Sequence, residues 1–147
     1  MPAPRRLCWT AFLACSLFTL ALTLGGCGGG SAPLQPVSGK VSYRGTPVPT
    51  GQIVFIPDAS RGGSGPLAVG EIRADGTYTL KTGQAAGAAP GWYRITIASV
   101  GSHGSAAASP PYAIPQSLLP DRYRDPETSR LACEIKPRAN TIDLDLE

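Results

Sequence analysis

Side chains suited to chemistry are few in this chain of 147 residues, which has four cysteines and a single histidine, His103. Nucleophilic catalysis needs a nucleophile with a base at hydrogen-bond distance, and His103 lies in a run of small residues that offers it no rigid neighbour. We therefore interpret His103 as a solvated loop residue. Ser and Thr are plentiful, but the sequence contains no Gly-x-Ser-x-Gly elbow. This inventory predicts no catalytic residues and a protein that is not an enzyme.

Metal sites meet the same shortage of ligands. Tetrahedral zinc needs several Cys or His side chains, and only His103 and Cys133 occur after residue 27. Asp121, Asp125 and Glu127 could supply oxygen ligands to calcium, yet the ligand spacing and the glycine of an EF-hand loop are missing. We favour capping and pairing with the neighbouring arginines for these carboxylates and leave calcium open. The sequence predicts no metal ligands and no cofactor.

Cys27 ends a segment that has the three parts of a secretory signal. Residues 1–6 carry two positive charges, residues 7–24 are apolar with scattered Thr and Ser, and two glycines precede the cysteine. Leu24-Gly25-Gly26-Cys27 resembles the lipobox of bacterial lipoproteins, in which a signal peptidase cuts before a cysteine that carries lipid. The resemblance implies a signal peptide over residues 1–26 and lipidation of Cys27. Several acyl chains on one residue give durable membrane attachment.

Two other interpretations of the N-terminus are weaker. The apolar run reaches the lower length limit for a membrane-spanning helix, but no basic residue follows it before Lys40, and its hydroxyl side chains make it less hydrophobic than most spans. Arg5-Arg6 could belong to a twin-arginine signal, although the flanking residues fit that pattern poorly. We predict general secretion and localisation to the cell envelope, with the outer membrane or the cell surface favoured over the inner membrane.

Charge outside the signal is nearly balanced. Removing Arg5 and Arg6 leaves 11 basic against 10 acidic residues, a net charge of +1. Nucleic-acid binders normally carry a basic patch, whereas Arg122 and Arg124 are interleaved with acidic residues. We expect no nucleic-acid partner.

Cys133 is the only cysteine after Cys27, so one mature chain has no disulfide framework. Leu131 and Ile135 alternate with polar or small residues, which places Cys133 on the apolar face of a strand. Free cysteine packs as a small hydrophobe. We predict a buried structural thiol.

The elements that position these residues are predicted to be strands. From Val37 onward, short runs rich in Val, Ile, Thr and Tyr are separated by Gly, Pro and Asp, and no stretch has sustained helical periodicity. This pattern is typical of an all-β sandwich or barrel. Residues 53–56, apolar on both faces, predict a central strand. We predict seven strands in two stacked sheets, at residues 37–43, 51–57, 67–73, 77–81, 92–100, 131–136 and 141–146.

The connections divide into a linker, two turns and one long segment. Residues 27–36, rich in Gly, Ser and Pro, predict a flexible linker to a domain at 37–147. Ala74-Asp75-Gly76 predicts a tight hairpin between the third and fourth strands. Arg138-Ala139-Asn140 is expected to play the same part between the last two strands.

Residues 101–130 contain five prolines and are too long for an ordinary hairpin connection. Their second half should form an ordered crossover in which Leu118, Leu119 and Tyr123 pack onto the sandwich. Asp125-Pro126 suits the cap and first residue of a single helical turn.

Three segments carry a resemblance to a known domain, namely SGKVSYRGTPV (38–48), IRADGTYTL (72–80) and GWYRITI (91–97). They are similar to the carboxypeptidase regulatory-like domain, a prealbumin-like (transthyretin-like) sandwich. YRDPETSRL (123–131) and NTIDL (140–144) resemble the form this domain takes in small bacterial lipoproteins. The resemblance implies a seven-stranded Greek-key β-sandwich over nearly the whole mature chain. Domains of that family are non-catalytic and accompany other activities.

The transthyretin-like fold also includes 5-hydroxyisourate hydrolase, whose active site relies on histidines, an arginine and a Tyr-Arg-Gly-Ser terminus. This sequence has one histidine and ends in Leu144-Asp145-Leu146-Glu147. The hydrolase residues therefore do not carry over, and the hydrolase is the remote alternative.

These observations predict a non-enzymatic, lipid-anchored cell-envelope protein whose sandwich is a structural or protein-interaction module. The alternative is a glycan or small-ligand binding module that uses exposed aromatics such as Trp92 and Tyr112 with the long loop. The expected partners are the membrane, through lipid on Cys27, and an unidentified envelope protein or glycan.

Overall fold

The computed structural model describes residues 33–101 and 116–147. The predicted signal peptide, Cys27, His103, Tyr112 and most of the predicted linker lie outside the described residues. Within 33–101 and 116–147, no helix has the length and apolar character needed to span a membrane.

The described chain consists mainly of strands, so the predicted all-β class is confirmed. Short 3₁₀ helices span Ala59–Arg61 and Asp121–Arg124. The strands are β1 (Val37–Tyr43), β2 (Thr46–Pro47), β3 (Gly51–Pro57), β4 (Ala68–Ile72), β5 (Thr77–Thr82), β6 (Ala85–Ala86), β7 (Gly91–Ala98), β8 (Val100–Gly101), β9 (Gln116–Ser117), β10 (Ala132–Ile135), β11 (Asn140–Thr141) and β12 (Leu144–Leu146).

The alternation of apolar and polar residues placed the longer strands well. β1 and β3 have the predicted bounds, and β4, β5, β7 and β10 differ from theirs by at most two residues at either end. The last predicted strand is divided into β11 and β12. Between them, the Asp143 carboxylate accepts a hydrogen bond from the Lys40 amide at 2.8 Å, in place of regular strand pairing.

Strand pairing runs continuously in the order β10-β7-β3-β4-β5-β1-β11, and the sheet curls. Neighbours are antiparallel, except that β11 and β12 both pair with β1 in parallel. β3 is central, between β4 and β7, as its apolar faces predicted. The Greek-key arrangement of two sheets stays a prediction.

The predicted hairpin at Arg138-Ala139-Asn140 is wrong. β10 pairs with β7, whereas β11 pairs with β1. The connection therefore crosses from one end of the strand path to the other. The Asn140 side chain holds it, because its amide oxygen accepts from the Lys136 amide and its nitrogen donates to the carbonyls of Lys136 and Arg138.

The predicted hairpin at Ala74-Asp75-Gly76 is confirmed, since β4 pairs with β5. The amide of Arg73 donates to the Thr77 carbonyl at 2.9 Å. Gly76 has φ 82°, a left-handed conformation that glycine adopts without strain. The Asp75 carboxylate accepts from the Thr77 amide at 3.0 Å and from its hydroxyl at 2.7 Å.

The core lies inside the curled sheet. The Phe55 ring packs between those of Tyr78 and Tyr93, with centroid distances of 6.2 and 6.1 Å. Tilted aromatic pairs of this kind each contribute about 0.5–1.5 kcal/mol beyond the area they bury. The buried hydroxyls are satisfied, because Tyr78 donates to the Ile142 carbonyl at 2.6 Å and Tyr93 to the Ala89 carbonyl at 2.9 Å.

The second half of the long connection is ordered, as predicted. Leu119 and Tyr123 are buried in the core. The Asp125 carboxylate accepts from the Glu127 amide at 2.7 Å, and the Ser129 amide donates to the Asp125 carbonyl at 2.9 Å. These bonds form the single helical turn expected after Asp125.

Candidate functional site

A polar cluster lies where the chain leaves β3. Asp58 directly follows the strand and caps the 3₁₀ helix Ala59–Arg61, since its Oδ1 accepts from the Ser60 amide at 3.1 Å and from the Ser60 hydroxyl at 2.6 Å. The main chain is held as well, because the Asp58 amide donates to the Trp92 carbonyl at 2.8 Å. Local cap chemistry therefore fixes the Asp58 carboxylate, whose side chain is only 6% exposed.

Two arginines neutralise this carboxylate. Arg94 projects from β7 on the side opposite the buried Tyr93 and Ile95, and its Nε lies 3.4 Å from Asp58 Oδ2. Arg61 Nε lies 3.6 Å from the same oxygen. The hydrogen bond from Ser60, and then Arg94, hold the pKa of Asp58 below its ordinary value against the opposing effect of burial. Asp58 in turn raises the pKa of Arg94.

A cleft of about 250 Å³ opens beside this cluster. We call it the arginine cleft, and it is lined by Asp58, Arg61, Arg94, Glu127, Arg130 and the neighbouring Leu131. Glu127, on the helical turn, forms an ion pair with Arg94. The Arg61 guanidinium lies 4.7 Å from the centre of the Trp92 ring, over one face of it. That face of Trp92 is thus occupied by a side chain of the protein itself.

A second depression, of about 500 Å³, lies on the outer side of β3, β4 and β5. We call this surface the sheet face. Leu67 is 50% exposed at its border. The side chains that line it include Gln52, Val69, Glu71, Arg73, Thr79 and Lys81.

The three carboxylates that the sequence left open as calcium ligands each have a different partner. Asp121 lies 3.6 Å from Arg124, Asp125 caps the helical turn, and Glu127 pairs with Arg94. Among the residues that the structure describes, no group of three His, Cys, Asp or Glu side chains is placed to hold a metal ion. The expected pairing with Arg122 takes another form, since Arg122 donates to the Tyr123 hydroxyl at 2.8 Å and to the Glu147 carbonyl.

Cys133 points toward the core from β10, as the alternation predicted. It is half-buried and packs against the core cluster. Burial raises the pKa of its thiol to about 12, so the reactive thiolate is disfavoured at neutral pH.

The sequence pattern did not predict Asp58, Arg94 or Arg130 as site residues. The segment Asp58-Ala59-Ser60-Arg61-Gly62 carried a usable signal, because Asp followed by Ser and then Gly favours a capped turn. The approach of Arg94 to Asp58 depends on how β3 pairs with β7, which spacing alone does not give.

No family model, curated protein or solved structure matches this chain. The similarity of its segments to the carboxypeptidase regulatory-like domain therefore stays a prediction.

Proposed function

We propose that this protein is a lipid-anchored protein of the cell envelope, and that its β domain is a non-enzymatic structural or protein-interaction module. The anchor is inferred from Leu24-Gly25-Gly26-Cys27 and the signal-like segment before it. The role of the domain is inferred from the hydrogen bonds, ion pairs and protonation of its buried polar groups.

The observation that carries this proposal is that the buried polar groups act as structural partners. The hydroxyls of Tyr78 and Tyr93 donate to main-chain carbonyls, and burial raises the pKa of both. Asp58 is neutralised by arginines, and the Cys133 thiol holds its proton. Groups in these states stabilise a fold and are poorly suited to act as nucleophile or base. Exposed surfaces such as the sheet face are suited to contact with another molecule.

We also propose the finer fold assignment, a prealbumin-like Greek-key sandwich of the carboxypeptidase regulatory-like type. The curled strand path supports it, because the curl brings Tyr78 on β5 against Phe55 on β3 across a common core. An experimental structure that placed β1 and β5 in one layer and β3, β7 and β10 in the facing layer would support this assignment. A single-layer closed barrel would contradict it.

The anchor is tested by comparing two cysteine variants of the full chain in a bacterial host that processes lipoproteins. Cys27→Ala is expected to lose incorporation of labelled palmitate and to lose stable membrane association, because no acyl chain can be attached. Cys133→Ala is the matched control, since it also removes one thiol but leaves the lipobox intact. The measurements are label incorporation and the share of protein in the membrane fraction.

Equal labelling and membrane recovery for wild type and Cys27→Ala would overturn the lipoprotein assignment. Loss of both signals in Cys133→Ala as well would show that the effect reflects folding or expression and not the anchor.

A further inference from the structure

The charged side chains of the arginine cleft are not all paired. Asp58 forms ion pairs with Arg61 and Arg94, and Glu127 forms an ion pair with Arg94. Among the described residues, no carboxylate forms a salt bridge with Arg130. The cleft therefore brings together three guanidinium groups and two carboxylates, and the positive charge in excess lies at Arg130.

Arg130 is also held in an unfavourable backbone conformation. Its φ is 56°, in the left-handed region that residues other than glycine and asparagine adopt at a cost. Both neighbours are fixed, because the Ser129 amide donates to the Asp125 carbonyl and the Leu131 carbonyl accepts from the Ile95 amide. Glycine would meet the same backbone requirement without strain, so the arginine at this position adds a guanidinium to the cleft at the expense of stability.

Arg94, which also lines the cleft, still has N–H groups that can donate a hydrogen bond. Its Nε faces Asp58 and its Nη1 pairs with Glu127, which leaves Nη2 for a further acceptor. Arg61 likewise faces Asp58 through Nε. Guanidinium groups present planar forks of N–H donors, which match carboxylate and phosphate oxygens better than any other side chain.

We propose that the arginine cleft binds a small oxyanion, a carboxylate or a phosphate, with Arg130 as its principal donor and Arg94 as its support. The volume of about 250 Å³ is below the range of pockets for drug-sized ligands and fits one anionic group with a few attached atoms. This inference rests on the proposed interaction role of the domain and specifies the chemistry of what the domain contacts. Asp58 and Glu127 would orient the arginines.

The test measures binding of inorganic phosphate and of glucuronate to the full chain in a nonionic detergent. Titration calorimetry is carried out at constant ionic strength maintained with sodium chloride, so that general screening is the same throughout. A Kd on the order of 1 mM is expected for at least one probe, as befits a ligand of few atoms. Preference for phosphate or for glucuronate identifies which oxyanion the site takes.

The deciding variant is Arg130→Gly. Its affinity should fall about tenfold or more, because a charge-assisted hydrogen bond is lost, while its Tm should equal or exceed that of wild type, because backbone strain is relieved. Arg44→Gly is the matched control: Arg44 is an exposed arginine with φ 51°, lies in the β1–β2 turn and does not line the cleft. It should bind the probe as wild type does, while its gain from relieved strain is offset in part by loss of the Arg44 guanidinium, which lies 5.3 Å from the centroid of the Tyr43 ring.

Three results would overturn the proposal: no saturable binding of either probe to wild type, unchanged affinity in Arg130→Gly, or an equal loss in Arg44→Gly. Arg130→Gln, which keeps the strain and removes the charge, decides the matter should the glycine variant fold poorly. Membrane association is measured separately on Cys27 variants, so failure of the oxyanion site and failure of the anchor are distinguishable.

Discussion

The surroundings of Gly39 on β1 leave no room for a side chain. A Cβ at this position would lie 1.8 Å from the Ile142 carbonyl oxygen and 3.0 Å from Cε1 of Tyr78. The same carbonyl accepts the Tyr78 hydroxyl. Because Gly39 has no side chain, β1 leaves room for the Tyr78 ring and for the chain between β11 and β12.

Gly39→Ala is expected to destabilise the domain by at least about 1–3 kcal/mol, because the obstructing atom is main chain and cannot turn aside. Denaturant unfolding measures the change. Ser38→Ala, at the exposed neighbouring position on β1, is the control and should stay within about 0.5 kcal/mol of wild type. Equal midpoints for Gly39→Ala and wild type would show that β1 does not approach residue 142 so closely.

Asp58 should make stability depend on pH. Its pKa in the folded protein is lowered from the ordinary value of 3.8, so its contribution is present above that value and is lost as pH falls through the lower folded pKa. The difference in unfolding free energy between wild type and Asp58→Asn should therefore shrink as pH is lowered below about 4. Glu134→Gln, which removes an exposed carboxylate of β10 outside the cleft, is the control. A difference that is constant from neutral to acidic pH would contradict this role.

Among the strands, the contrast between two turns shows what sequence can predict. Ala74-Asp75-Gly76 joins strands that do pair, and its turn chemistry was sufficient to predict the hairpin. Arg138-Ala139-Asn140 has similar chemistry, but β10 and β11 pair with different partners. Local chemistry encodes a change of direction, whereas the partner of the next strand depends on contacts that are distant in sequence.

Asn140→Ala tests the short connection. The variant loses the side-chain hydrogen bonds to the main chain of Lys136 and Arg138, which should lower the unfolding free energy by about 1–2 kcal/mol. Thr141→Ala, at the exposed next residue, is the comparison and should have the smaller effect. The reverse order of the two variants in thermal unfolding would mean that the Asn140 side chain does not hold the connection.

For the molecule as a whole, the sequence predicted the all-β class and nearly all of the longer strands, because apolar alternation reports directly on which face is buried. The arginine cleft was not predicted. Asp58, Arg94 and Arg130 are far apart in sequence and meet only through the pairing of β3 with β7 and of β7 with β10. The left-handed backbone of Arg130 left no signal either, since the usual indicator of that conformation is glycine.

The parallel pairing of β1 with β11 and β12 sets the order in which the domain can be completed. Until residues 140–146 arrive, β1 lacks these partners and has only β5 and the short β2 beside it. Sheets that depend on such distant pairings form slowly. The curled path around β1 is therefore completed only after residues 140–146 have been synthesised. Before that point, the preceding strands lack the parallel partners that finish the sheet on this side of β1.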